Sequence, residues 1–198
     1  MSSPLFDILT NALGGQIIDK IGGQLGLDRT KTASAIGMLV PVLVSALGRN
    51  AATPGGLDAL NNAVARDHDG SLLDNIGGYL SGGAGSGIGG KILSHVLGND
   101  QAQIEEGVSR ASGISAATVG KLLVMLAPIL LGALGRANKQ TPPTTNIDDI
   151  LNSATGKMQA SSGGGILSRI LDRNGDGSAF DDVARIGASV LGGMLRGN

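Results

Sequence analysis

The chain has 198 residues, a formal net charge of −1, 34 glycines, 2% aromatic residues, and no cysteine or tryptophan. The lack of cysteine excludes disulfides, thiolate catalysis and Cys-ligated zinc, and two histidines cannot make a His-rich metal site. With only 16% charged residues there is no basic excess for a phosphate backbone, so nucleic acid is not an expected partner.

Residues 3–14 carry a first helix signal, with Ser3 as cap, Pro4 at the first helical position and Gly14 as the stop. Leu5, Ile8, Leu9, Ala12 and Leu13 recur at helical spacing. A second helix is expected over 15–25, ended by Gly26. Asp28 is placed to cap a long apolar segment running from Arg29 to Arg49. Pro41 lies inside that segment, removes one backbone donor, and predicts a kink. Thr53-Pro54-Gly55-Gly56 reads as a loop, 57–64 as a short helix, and 76–80 as a further helical turn. Residues 82–90 are mostly Gly, Ala and Ser and read as a flexible link.

Beyond that link the pattern recurs. Ala35-Ile-Gly-Met-Leu-Val-Pro41-Val-Leu-Val-Ser-Ala-Leu-Gly-Arg49 is matched by Leu122-Leu-Val-Met-Leu-Ala-Pro128-Ile-Leu-Leu-Gly-Ala-Leu-Gly-Arg136. Ile92-Leu-Ser-His-Val-Leu-Gly98 echoes Ile8 to Gly14, Ile104 and Val108 stand for Ile17 and Ile21, and Gly113 and Ser115 for Gly26 and Asp28. A loop with Pro142 and Pro143 follows, then a helix from Ile147 to about Ala154 and a second Gly/Ser link at 161–165. One or two apolar turns are expected over 166–171. A last helix is expected over 182–195, with Val183, Ile186, Val190, Leu191, Met194 and Leu195 as its stripe. No segment alternates with period two for the length of a strand. The expected fold is all-α: a helical module over 1–81, a Gly-rich linker over 82–90, and a second module over 91–198, related by internal duplication.

The acidic loops are the candidate chemistry. Asp172, Asn174 and Asp176 alternate and are followed by Gly177 and Ser178, the opening of an EF-hand-type calcium loop. Their oxygens can turn inward around a hard cation, and the Ser178 carbonyl can add another. Val183 stands where the closing acid belongs, so Asp181 and Asp182 at positions ten and eleven would close the loop early. Those acids can also begin the last helix, where a negative charge is favourable. A second site would use Asp67, Asp69, Ser71 and Asp74, but Ala65 stands where Asp172 aligns, so its first ligand is missing. His68 and His95 read as a solvent-facing side chain and an isolated one. Gly85-x-Gly87-x-x-Gly90 nominally fits a dinucleotide or phosphate loop, but no strand precedes it and Ile92 replaces the required Ser or Thr. Arg49 and Arg136 read as helix-end cations, with anion binding as the alternative. No nucleophile–base arrangement and no catalytic residue emerges, so no small-molecule substrate is inferred.

Leu5-Phe-Asp-Ile-Leu9, Gly14-Gly15-Gln16, Leu25-Gly-Leu-Asp28, the Ala35 to Leu43 segment and Asp67-His-Asp-Gly-Ser71 together resemble the YidB-like bacterial proteins, a domain of unknown function. The resemblance covers residues 1–81, and the second module through the repeat. It implies a homeodomain-like helical fold and no established activity. The loop at 172–182 is similar to acidic Gly-Ser tails of that family. The expected role is a non-enzymatic structural or interaction protein that forms homo-oligomers, with Ca2+ ordering the C-terminal loop. The alternative is a membrane-active protein that inserts its Pro-containing helices. The apolar runs around Pro41 and Pro128 are ~13 residues, against the ~20 that span a bilayer. The N-terminus has neither a basic region nor a long apolar run, so a cytoplasmic location is the default, with unconventional export left open.

Overall fold

Two long apolar helices, far apart in the chain but packed on each other, organise the structure. The computed structural model describes residues 3–66, 68–82, 87–142 and 144–161, the last three by backbone only. In order these form α1 (Pro4–Ala12), α2 (Gly15–Leu25), α3 (Arg29–Ala51), α4 (Gly56–Arg66), a 3-10 turn (Ser71–Asn75), α5 (Ile76–Ser81), α6 (Ile88–Val96), a 3-10 turn (Gly98–Asp100), α7 (Gln101–Ser112), α8 (Ala116–Gln140) and α9 (Ile147–Ser161). The described residues contain no strand, and the all-helical expectation holds. The expected helix at 182–195, the turns at 166–171 and the loop at 172–182 lie outside the described residues.

Local chemistry explains most boundaries. Gly26 and Gly113 end α2 and α7 in the left-handed region, with φ of 66° and 69°, where a Cβ would be strained. Asp28 then caps α3 by accepting from the Lys31 N–H at 2.8 Å, and Ser115 caps α8 by accepting from the Thr118 N–H at 3.2 Å. Ser3 precedes α1, yet its hydroxyl does not cap the helix. It is buried and lies 3.3 Å from the Ser153 hydroxyl, tying the start of α1 to α9. Pro41 and Pro128 sit inside continuous helices of 23 and 25 residues, so neither begins a new helix.

Three boundaries differ most from expectation. α8 continues one turn beyond Arg136 to Gln140, so Arg136 is not a terminal residue. α9 continues past Ala154 to Ser161, where a Gly/Ser link was expected to start. α6 begins at Ile88, inside the expected 82–90 link. Gly89 and Gly90 are therefore helical, and Gly89 serves close packing rather than flexibility. A Cβ on Gly89 would drive into the Val124 carbonyl oxygen of α8. That carbonyl is the one whose normal helical donor, the N–H of residue 128, is absent because Pro128 has none. The α6 backbone thus crosses α8 at the carbonyl that Pro128 leaves open, a place for a weak Cα–H···O contact.

α8 is the hub. Every residue from Leu126 to Gly135 is buried, so this stretch is apolar all round. α1, α3, α6, α7 and the Ser71–Asn75 turn all pack on it, so it gathers elements from both sides of the 82–90 segment. α2 and α5 are joined by Lys20 Nζ donating to the Gly77 carbonyl at 2.9 Å and Gln24 Nε2 to the Leu80 carbonyl at 2.7 Å. Residues 3–158 lie within one compact unit. Both α3 and α8 are long and apolar enough to cross a membrane by length and composition. Yet 56% of the α3 window and 67% of the α8 window are buried inside the protein, as for core helices.

Candidate functional site: the acidic loop and an apolar cleft

The loop after α4 is placed by glycines on α8 rather than by its own sequence alone. Gly70 takes φ of 96°, and a Cβ there would lie 2.9 Å from the Arg136 Cβ and 3.2 Å from the Gly132 carbonyl oxygen. A Cβ on Gly135 would penetrate the His68 carbonyl oxygen, with the Asp69 carbonyl carbon 3.2 Å away. Gly132 and Gly135 therefore form a shallow seat, one helical turn long, for the main chain of 68–70.

Cations of α8 then hold the loop's acids. Lys139 Nζ donates to Asp69 Oδ2 at 2.9 Å, and Asp69 Oδ1 accepts from the Ser71 N–H at 3.1 Å. The Lys139 hydrogen bond, followed by those from Ser71, holds the Asp69 carboxyl well below the usual carboxylate range. Arg136 Nη2 donates to the Gly70 carbonyl at 2.8 Å and to Asp74 Oδ1. Arg136 is only 32% exposed, whereas Asp74 is 70% exposed. Its guanidinium satisfies a backbone carbonyl and a carboxylate together, which a point charge does less well.

Of the second candidate metal site, Asp67 lies outside the described residues. Asp69, Ser71 and Asp74 share one loop, with Asp69 and Asp74 directed to different cations of α8. Among the described residues, no group of three or more His, Asp or Glu side chains could hold a metal. Asp172, Asn174, Asp176, Ser178, Asp181 and Asp182 lie outside the described residues. The Gly85 to Gly90 fingerprint follows no strand among the described residues, and its last three residues, 88–90, belong to α6.

A cleft of about 580 Å³ opens beside this loop, where the end of α3, the start of α4 and α6 meet. Its apolar lining includes Leu47, Leu60, Ile92, Val96 and Leu131. Both histidines of the chain, His68 and His95, line it, together with Lys91. Lys91 and His95 are exposed and four residues apart, so they share one face of α6. Asn50 braces the wall by donating from Nδ2 to the Val96 carbonyl at 2.8 Å, linking α3 to α6. Gly56 closes another side, since a Cβ there would enter the Asn50 carbonyl oxygen. None of the described lining residues is acidic. Sequence reasoning missed this site. The Lys91/His95 spacing was readable, but nothing in the chain linked it to His68 or Asn50.

An all-helical body centred on one buried helix, with an apolar cleft beside it, is what the described residues define as a class of protein. The family model described as a bacterial protein of unknown function (DUF937) matches residues 7–137, about two thirds of the chain, and the protein belongs to that family. The match runs from α1 through most of α8, so it takes in all of α3 and most of α8. No curated protein and no solved structure matches the chain.

Proposed function

We propose that the protein is a non-catalytic binding module whose cleft receives an apolar guest. One observation carries this reading. Ile88 is the one large hydrophobic side chain that is strongly exposed among the described residues, while the α3–α4–α6 cleft is lined mainly by apolar groups. Its volume is in the range of ordinary ligand sites, ~300–1,000 Å³. An uncharged environment-sensitive dye such as N-phenyl-1-naphthylamine tests it. Saturable fluorescence enhancement is expected, and Ala63→Trp, which fills the cleft, should abolish it. A dye signal that is absent, or unaffected by Ala63→Trp in a folded variant, refutes the reading.

Self-association and a calcium-ordered C-terminal loop extend the proposal. The pairing of Asp69 and Asp74 with α8 cations supports a structural role for the first loop. The later loop differs from it by the additional oxygens of Asp172, where the first has Ala65, and by Asp182, where the first has Asn75. Light scattering after size exclusion, with calcium and with chelator, addresses both: a strict monomer with no calorimetric calcium signal removes them. Membrane insertion of α3 and α8 is the competing reading, supported by their length and composition. It would require both helices to leave their present packing, and liposome flotation decides it. The equivalent glycines, caps and internal prolines support reading the two helix sets as homeodomain-like units joined by an old duplication.

A further inference from the structure

We infer that the guest is an amphiphilic anion, a medium-chain carboxylate whose chain lies on the apolar floor and whose head meets the Lys91 ammonium and the neighbouring imidazoles at the rim. The inference rests on the binding reading above and adds the chemical class. Among the described lining residues three are ionisable, namely Lys91, His95 and His68, and all are basic. Lys91 and His95 project from the same face of α6, one turn apart. Both are exposed, so a carboxylate can reach them without leaving water entirely. The floor, by contrast, includes Leu47, Leu60 and Leu131, each less than a tenth exposed. Apolar floor and cationic rim on one cleft match a molecule with one apolar chain and one negative end. A purely apolar guest would leave the rim unused, and an inorganic anion would leave the floor unused.

Displacement of the uncharged dye by octanoate, 1-octanol and acetate separates these cases. Moving a carboxylate out of water is more costly than moving a hydroxyl, so an apolar groove without cations must prefer the alcohol. The expected order is therefore diagnostic. Octanoate should displace dye at a concentration at least about tenfold lower than 1-octanol, and acetate should not displace it. Lys91→Glu should weaken octanoate about tenfold, or ~1.4 kcal/mol, and leave 1-octanol unchanged. His95→Ala should act in the same direction with a smaller effect. Raising the salt concentration should weaken octanoate alone.

If octanoate is no better than 1-octanol, or Lys91→Glu changes neither, the anion assignment is wrong while the binding module stands. Binding to phosphatidylglycerol vesicles without binding of free octanoate also overturns it, because the rim then serves a lipid surface. Failure of the dye itself to bind is a different result, and it removes the binding reading.

Discussion

Gly48 and Gly135 occupy the same place in the two Ala-Leu-Gly-Arg segments, yet substitution by alanine should act in opposite directions. At Gly135 the added Cβ meets the His68 carbonyl oxygen, with the carbonyl carbons of His68 and Asp69 at 3.1 and 3.2 Å. These are backbone atoms and cannot rotate away, so the loop must lift from α8. Such overpacking costs about 1–3 kcal/mol. Lifting the loop also breaks the Lys139–Asp69 and Arg136–Asp74 pairs, each worth about 0–1 kcal/mol at an exposed site. Gly135→Ala should therefore lose about 1–5 kcal/mol. At Gly48 a Cβ meets nothing within 4 Å among the described residues, and the residue is helical. Alanine there should gain about 0.5–1 kcal/mol from helix propensity. For a domain of this size the two effects amount to a fall in Tm of roughly 2–20 °C and a rise of roughly 1–4 °C. Urea unfolding followed by circular dichroism at the helix band measures both. Equal effects of the two substitutions, or a Gly135→Ala protein as stable as wild type, would refute the seating of the loop on α8.

Asp69→Asn should destabilise the protein at neutral pH. The folded-state pKa of Asp69 is depressed, so its contribution is present above the unfolded value of ~3.9 and fades as pH falls through the lower folded value. Unfolding curves of the two proteins should converge in strong acid, and a gap that persists there contradicts the assignment. Gly89→Ala should lose about 1–3 kcal/mol by forcing α6 away from the Val124 carbonyl. Gly90→Ala, one residue along with open space around it, is the control and should not be destabilising. Asn50→Ala should lose about 1 kcal/mol with its bond to the Val96 carbonyl, and faster amide exchange in α6 should report the loss.

The helices were legible where local chemistry decides them. Gly26 with Asp28, and Gly113 with Ser115, marked the starts of α3 and α8 because a left-handed stop followed by a side-chain cap is a short-range signal. Apolar runs around Pro41 and Pro128 marked the core. Ends set by tertiary contact were not legible. Arg136 read as a helix-end cation because Gly-Arg follows the apolar run, but α8 continues since Ala137 is buried and Arg136 is held by the Gly70 carbonyl. Gly89 read as linker because glycine favours turns, whereas here its lack of a side chain lets α6 touch α8. Local sequence cannot distinguish a glycine used for its φ from one used for its size.

The acidic loop shows the same limit for function. Asp69-Gly70-Ser71 with Asp74 has the grammar of a calcium loop, and the grammar concerns only the oxygens. What those oxygens meet is set by residues more than sixty positions away, Arg136 and Lys139, one turn apart on α8. Two cations placed by a helix neutralise Asp69 and Asp74 and leave the loop's turn serving to anchor it. The cleft arises by the same route. Lys91 and His95 are neighbours through helical spacing, but His68 joins them only because Gly132 and Gly135 let its main chain approach α8. Gly135→Ala thus has a second expected effect: by displacing His68 it should alter dye binding in the cleft, coupling loop seating to the site that the loop borders.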